Sequence, residues 1–168
     1  MEQLMPATAV LLDIIKPILE DSQFAENVAW TRRYFQENDT IINIGDCGQT
    51  LYFIESGTLR VTLNVTLSQE QQKVQPGVKD LQTGDIFGES SLFTATKRTA
   101  SIKAVTEGQL IEINGAHLLS FLDAHPMQGY LLFKNLFAMQ VSRLDSANRH
   151  IEHLLAWGLK AHGIDKHL

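Results

Sequence analysis

Only one cysteine, Cys47, occurs among the 168 residues. No intrachain disulfide can form, and thiolates of one chain cannot hold an iron–sulfur cluster. A reducing compartment suits that composition. No apolar run is long enough to span a bilayer, and the start of the chain places Glu2 and Asp13 around a short apolar stretch without a basic leader. The expectation is a cytoplasmic, soluble protein without membrane contact. Basic residues are also in the minority, 14 Lys and Arg against 19 Asp and Glu, for a net charge of −5. That balance argues against a nucleic-acid surface spread over the whole molecule, while a local basic patch stays compatible with it. All six histidines lie at positions 117, 125, 150, 153, 162 and 167, so residues 31–116 contain none. No nucleophile-elbow glycine pattern surrounds any serine. The sequence therefore shows no catalytic residues and no metal site, and a non-enzymatic role is expected.

The length suits one domain with a substantial core. Apolar residues recur at helical spacing over residues 7–20, through Val10, Leu11, Ile14, Ile15, Ile18 and Leu19, with Pro17 predicted to break the helix. Asp21 and Ser22 predict the start of a second short helix over residues 21–30. From about Thr31 the character changes. Glycines at 45, 48, 57, 77, 84, 88, 108 and 115 punctuate short runs rich in β-branched and aromatic residues. The clearest predicted strand covers residues 58–67, where Leu59, Val61, Leu63, Val65 and Leu67 alternate with polar residues. Residues 69–75 read as a polar hairpin excursion, and residues 99–105 and 109–113 as two more strands joined around Glu107 and Gly108. The expected fold is mainly β with flanking helices: an eight-stranded antiparallel jelly-roll β-barrel, a cupin-like double-stranded β-helix, with N-terminal helices and a long C-terminal helix. A cupin enzyme needs histidines on barrel strands, and this chain has none there. His150 and His153 sit a helical turn apart without a third nearby ligand, and are read as solvated helix residues.

Chemistry concentrates in residues 85–104, DIFGESSLFTATKRTASIKA. Gly88 allows close backbone approach to a ligand, and the residues after it open a short turn whose amides favour negative charge. Arg98, nine residues after Glu89, offers a rigid fork matched to two phosphate oxygens. Glu89 suits a ribose hydroxyl instead. The structural alternative is a Glu89–Arg98 ion pair near a turn.

The run F-G-E-x-x-L followed by R-T-A resembles the phosphate-binding cassette of cyclic nucleotide-binding domains, found in the catabolite activator family and in kinase regulatory subunits. GQTLYFIESGTLRV, residues 48–61, resembles the strand, Ser-Gly turn and strand of that family, and LQTGDIFGE resembles its entry to the cassette. The similarity covers about residues 30–160. It implies that Gly88 and the backbone near Ser90 and Ser91 contact a cyclic phosphate, that Glu89 takes the ribose 2′-hydroxyl, and that Arg98 neutralises the phosphate. Thr99 and Ala100 would lie beside the phosphate or purine, and Leu92 would be the hydrophobic hinge. Arg143-Leu144 places Ala147 and Asn148 near the purine. Ser90 departs from the family, which commonly has Leu there to fill apolar space behind the cassette; a small hydroxyl residue in that place leaves either a gap or a polar group needing a partner.

The last fifty residues read as helical, with His125-Pro126 as a start and Phe133, Phe137, Val141, Leu144, Ile151 and Leu155 in one seam. That seam fits either packing on the barrel or a coiled-coil-like dimer, and the resemblance favours a homodimer. The organisation expected is an N-terminal helical segment, residues 1–30; a nucleotide-binding barrel, residues 31–116; and C-terminal dimerisation helices, residues 117–168. Activator-family proteins continue into a helix-turn-helix, for which the residues beyond the helical pattern leave no room, so direct DNA binding is not expected. The resemblance implies a stand-alone sensor that takes cyclic AMP or cyclic GMP as ligand, needs no cofactor, and signals through its terminal helices, with an effector protein as a possible partner. The alternative is a degenerate, non-binding interaction scaffold on the same fold.

Overall fold

The structure is a computed structural model that describes residues 7–63, 65–66, 73–74, 77–93 and 96–161. Helix α1, Ala7–Leu19, comes first. Strands follow in the order β1 (Trp30–Phe35), β2 (Thr40–Ile42), β3 (Cys47–Gly48), β4 (Thr50–Ser56), β5 (Leu59–Thr62), β6 (Val65–Thr66), β7 (Lys73–Val74), β8 (Gly77–Leu81) and β9 (Ile86–Phe87). A single 3-10 turn, Glu89–Ser91, precedes β10 (Thr96–Lys97), β11 (Ser101–Ala104) and β12 (Gly108–Asn114). Helices α2, Gly115–Ala124, and α3, Pro126–Ala161, complete the described chain.

Pairing is antiparallel throughout the named strands. One four-stranded sheet has the order β1-β12-β4-β9 and a second the order β2-β11-β5-β8; β10-β3 and β6-β7 are two-stranded. The fold is thus mainly β with flanking helices, and its described strands hydrogen-bond as separate sheets.

The first sheet is buried on both faces, which explains its continuous apolar runs. In β4, Leu51 and Phe53 join the core formed with the helices, whereas the alternate residues Tyr52 and Ile54 join the core shared with the second sheet. Its neighbours obey the same parity: Phe53 lies across from Ile111 and Ile86, and Ile54 across from Leu110. A one-residue slip would exchange the two cores, so the register is strongly specified. The helical core includes Leu11, Ile15 and Ile18 of α1, Leu118, Phe121 and Leu122 of α2, and Leu132 and Leu136 of α3.

Several local expectations need correction. α1 continues through Pro17 instead of breaking there. Only two residues of the helix lie beyond the proline, so the ladder loses little. Residues 21–30 form turns and an isolated bridge, not a helix; Asp21 caps a turn by accepting from the Gln23 amide at 2.8 Å, and the Trp30 indole donates to the Phe24 carbonyl at 3.0 Å. The strand expected over residues 58–67 is interrupted after Thr62, where Leu63 is exposed, and residues 64 and 67 lie outside the described part. The hairpin excursion survives as β6 paired with β7, although most of residues 67–76 lies outside the described part. β11 and β12 do not pair with each other. Each pairs within a different sheet, so the Glu107-Gly108 link crosses between the layers. Pro126 does open the long helix as read, and α2 is a distinct helix before it, capped by the Asn114 side chain accepting from the His117 amide at 3.1 Å.

Candidate functional site

β9 delivers the chain to Gly88, whose φ of 83° and ψ of 3° are left-handed. A Cβ at this position would meet the Thr50 carbonyl oxygen at 2.6 Å and Arg98 Nη1 at 3.0 Å. Glycine is therefore required both by backbone conformation and by the guanidinium packed against it. The turn Glu89–Ser91 then closes through Ser91 N–H to Gly88 O at 3.2 Å and Leu92 N–H to Glu89 O at 3.1 Å.

Arg98 is held from both sides of its backbone: its amide donates to Asp46 O and its carbonyl accepts from Gly45 N–H, both at 2.8 Å. Its side chain is buried, at 7% exposure. Nη2 donates to Thr50 O at 3.0 Å, Nη1 to Gly88 O at 3.3 Å, and the guanidinium carbon lies 5.6 Å from the centroid of the Tyr52 ring. Among the described residues, no carboxylate forms an ion pair with it. Among the described residues, the buried cation is thus met by carbonyl dipoles and a ring face. Tyr52 itself stacks on Phe87 with centroids 4.7 Å apart. Burial pushes its phenol above the ordinary value, Glu112 pushes the same way, and Arg98 opposes them.

The alternative Glu89–Arg98 ion pair is absent, and Glu89 points instead to α3. Its Oε1 accepts from Arg143 Nη1 at 2.6 Å and from Gln140 Nε2. Arg143 also donates through Nη2 to the Ile86 carbonyl at 2.7 Å. Neither contact was legible in the sequence, although Gln140 and Arg143 do stand one turn apart on the predicted helix.

Between these groups lies a cavity of about 530 Å³. Gly88, Glu89, Ser90, Arg98, Thr99 and Ala100 line one side; Ile42, Val61, Leu81, Phe87 and Ile102 give an apolar floor; Lys79 stands on the strand side. α3 closes the other side with Ser142, Arg143, Ser146, Ala147 and His150. His150 Nδ1 donates to the Ser146 carbonyl at 2.8 Å. Lys79 is a lining residue that the sequence reading did not single out, and His150, read there as a solvated helix residue, also lines the cavity.

Other expected site residues fall elsewhere. Ser91 is fully buried beneath the turn, its hydroxyl 3.0 Å from Thr96 Oγ1. Leu92, 1% exposed, lies in the helical core with residues of α2 and α3, and its carbonyl accepts from Gln49 Nε2 at 2.7 Å. Asn148 is exposed and does not line the cavity. Ser90 is exposed at the cavity mouth, so water can meet its hydroxyl and no buried gap arises. Among the described residues, no group of three His, Cys, Asp or Glu side chains is placed to hold a metal ion. No described helix is long and apolar enough to cross a membrane.

Comparison with known proteins adds to this geometry. The sequence profile of the cyclic nucleotide-binding domain matches residues 32–125. The cyclic AMP receptor protein of Thermus thermophilus is 29% identical over 123 residues, 73% of this chain and 53% of that protein. The human potassium/sodium hyperpolarization-activated cyclic nucleotide-gated channel 3 is 32% identical over 111 residues, 64% of this chain. The chain thus spans about half of the receptor protein and 13% of the channel. Among solved structures, the Thermus thermophilus catabolite activator protein superposes with a TM-score of 0.62 at 25% identity, over 91% of this chain and 61% of its own. A cyclic nucleotide-binding domain from Methylobacillus flagellatus superposes with a TM-score of 0.67 at 18% identity, over 86% of this chain and 82% of its own, and supports the fold. The sequence match embraces the Gly88 turn, Glu89, Arg98 and the sheets that carry them, and the chain belongs to the cyclic nucleotide-binding domain family.

Proposed function

We propose that this protein is a cytoplasmic cyclic nucleotide sensor, which takes cyclic AMP or cyclic GMP into the cavity beneath α3 and signals to an effector through its terminal helices. The observation that carries this reading is Arg98: a buried guanidinium lining a cavity, with no carboxylate partner among the described residues. An incoming cyclic phosphate supplies the missing negative charge, with Gly88 allowing its close approach. Both α3 donors reach Oε1 of Glu89, which leaves Oε2 for the ribose 2′-hydroxyl. Thr99 and Ala100 border the phosphate and purine. Val61, Lys79, Ala147 and His150 then surround the base. Residues 31–116 act as the binding unit and residues 117–168 as the helical output, pairing two copies through α3.

Capture of the ligand changes output only if the nucleotide binds one α3 arrangement better than another. The contact set provides a basis for that difference, because Glu89 serves both α3 and the proposed ribose site.

Isothermal titration calorimetry with cyclic AMP and cyclic GMP, beside Arg98→Ala, tests the proposal. Micromolar or tighter binding, about −8 kcal/mol or better, is expected for one nucleotide and is lost in the variant. Absence of heat with both, together with an unshifted melting temperature at roughly millimolar nucleotide, overturns it. That outcome favours the scaffold reading, for which the present engagement of Glu89 by Arg143 and Gln140 is the specific support.

A further inference from the structure

α3 carries two different faces. One side packs on its own domain through Gly129, Leu132 and Leu136, and continues through Arg143 and Ser146 to the cavity. About 120° around the helix, by its rotation of about 100° per residue, Phe137, Val141, Leu144, Ile151 and Leu155 are all exposed, at 72, 43, 61, 54 and 62%. Their spacing leaves one vacancy in an alternation of fours and threes, and Asn148 fills it. Val141, Asn148 and Leu155 therefore occupy the first core position of successive heptads, and Phe137, Leu144 and Ile151 the second.

The polar residue in the middle of this stripe identifies the occupant. An apolar groove on an unrelated partner would bury the Asn148 amide without a hydrogen bond, a penalised arrangement. An identical helix brings an identical amide, and an amide carries both donors and an acceptor. The two meet only when the helices run parallel and in register. Charge at the flanks selects the same orientation. Asp145 and Glu152 occupy the flanking position that faces Gln140 and Ala147 of a parallel neighbour, but that faces its own counterparts in an antiparallel one. Antiparallel pairing would set carboxylate against carboxylate.

We propose that Asn148 is the register lock of a parallel, two-stranded α3 seam between two copies of this chain, its amide hydrogen-bonding the second copy's Asn148. The inference rests on the pairing of two copies put forward above, and it assigns Asn148 to the seam instead of the nucleotide. Ser146, Ala147 and His150 occupy the same turns on the side toward the cavity. A fixed register therefore holds the two cavity walls at one level on either side of the seam.

Two measurements on the full chain separate the layers of this proposal. In a Cys47→Ser background, which removes the sole thiol, Leu144→Cys is expected to form a covalent dimer on mild oxidation, because second-position residues abut in a parallel, in-register pair. Ser142→Cys, on the cavity side, is expected not to. Adding Asn148→Leu is expected to lower the Leu144→Cys yield by about threefold or more, and sedimentation equilibrium should then detect assemblies heavier than the dimer. A wild-type protein that sediments as a monomer overturns the pairing itself. A wild-type dimer whose mass and cross-linking are unchanged by Asn148→Leu leaves the pairing standing and overturns the role of Asn148.

Discussion

Replacing Arg98 by Met keeps most of the stem and removes the charge, so it separates what this residue does for stability from what it does for a ligand. Burying a guanidinium carries an effective penalty of several kcal/mol. Against that stand a 3.0 Å hydrogen bond to Thr50 O, a longer one to Gly88 O and the Tyr52 ring face. By ordinary magnitudes the first bond contributes ~1.5–3 kcal/mol and the ring ~0.5–2 kcal/mol. Penalty and compensation are therefore of similar size, and Gly88 borders the cavity, where water can replace the guanidinium at its carbonyl. The ligand-free variant is expected to be within about 1–2 kcal/mol of wild type, or about 2–8 °C in melting temperature for a domain of this size. With nucleotide at about a hundredfold its Kd, wild type gains about 2.7 kcal/mol and the variant gains nothing. Differential scanning fluorimetry with and without the bound nucleotide reads both numbers. Unfolding of the ligand-free variant at room temperature would show that Arg98 holds the fold together, and an undiminished ligand-induced shift would show that the phosphate lies elsewhere; either refutes the reasoning.

Three further outcomes follow from the same geometry. Tyr52 has a folded pKa raised by burial, so its neutral form contributes stability that is fully present below the unfolded value near 10 and is lost as pH rises through the folded value; absorbance titration of wild type against Tyr52→Phe should find the Tyr52 transition above the ordinary phenol value, and a transition at or below that value would contradict this. Gly88→Ala combines a left-handed backbone penalty of ~1–2 kcal/mol with displacement of Arg98 or the Thr50 carbonyl, so urea unfolding should show a loss of about 1–3 kcal/mol and calorimetry a loss of nucleotide affinity. Glu89→Gln keeps the side-chain shape and removes the charge facing Arg143; a loss of about 1 kcal/mol is expected, with faster hydrogen exchange in the 140–150 turns of α3, whereas unchanged exchange there would deny the contact a role in holding the helix.

What the sequence disclosed was local. The Gly88 turn, Glu89 and Arg98 lie within eleven residues, an outline that by itself stayed open between an anion pocket and a Glu89–Arg98 ion pair. Pro126 marked the start of α3 because proline fits a first helical position. The partners of those site residues were not visible. Arg143 is 54 positions from Glu89, and Thr50 meets Arg98 through a carbonyl that every residue possesses. Strand β5 illustrates another limit: the alternation seen over residues 58–67 describes a possible strand, but Leu63 is exposed and pairing stops before it. Residues 21–30 offered helix-capping side chains, yet the Trp30 indole fixes that segment as turns around the Phe24 carbonyl.

The same few residues also suggest how binding reaches the helix. Glu89 is tied to α3 by a partly exposed polar latch, while Leu92, three positions on, lies almost fully buried in the core that contains Leu132 and Leu136. Partly exposed ion pairs contribute about 0–1 kcal/mol, whereas burying a leucine side chain contributes about 1.5–3 kcal/mol. When a ligand draws on Glu89 and Arg98, the polar latch is therefore the weaker of the two attachments. On the sensor function proposed above, it would yield or reorganise first while the apolar attachment at Leu92 stayed closed. α3 would then turn about its buried first turns, near Leu132 and Leu136. The largest displacement would fall in the segment that bears both the cavity-lining His150 and the exposed seam, where two copies are proposed to meet.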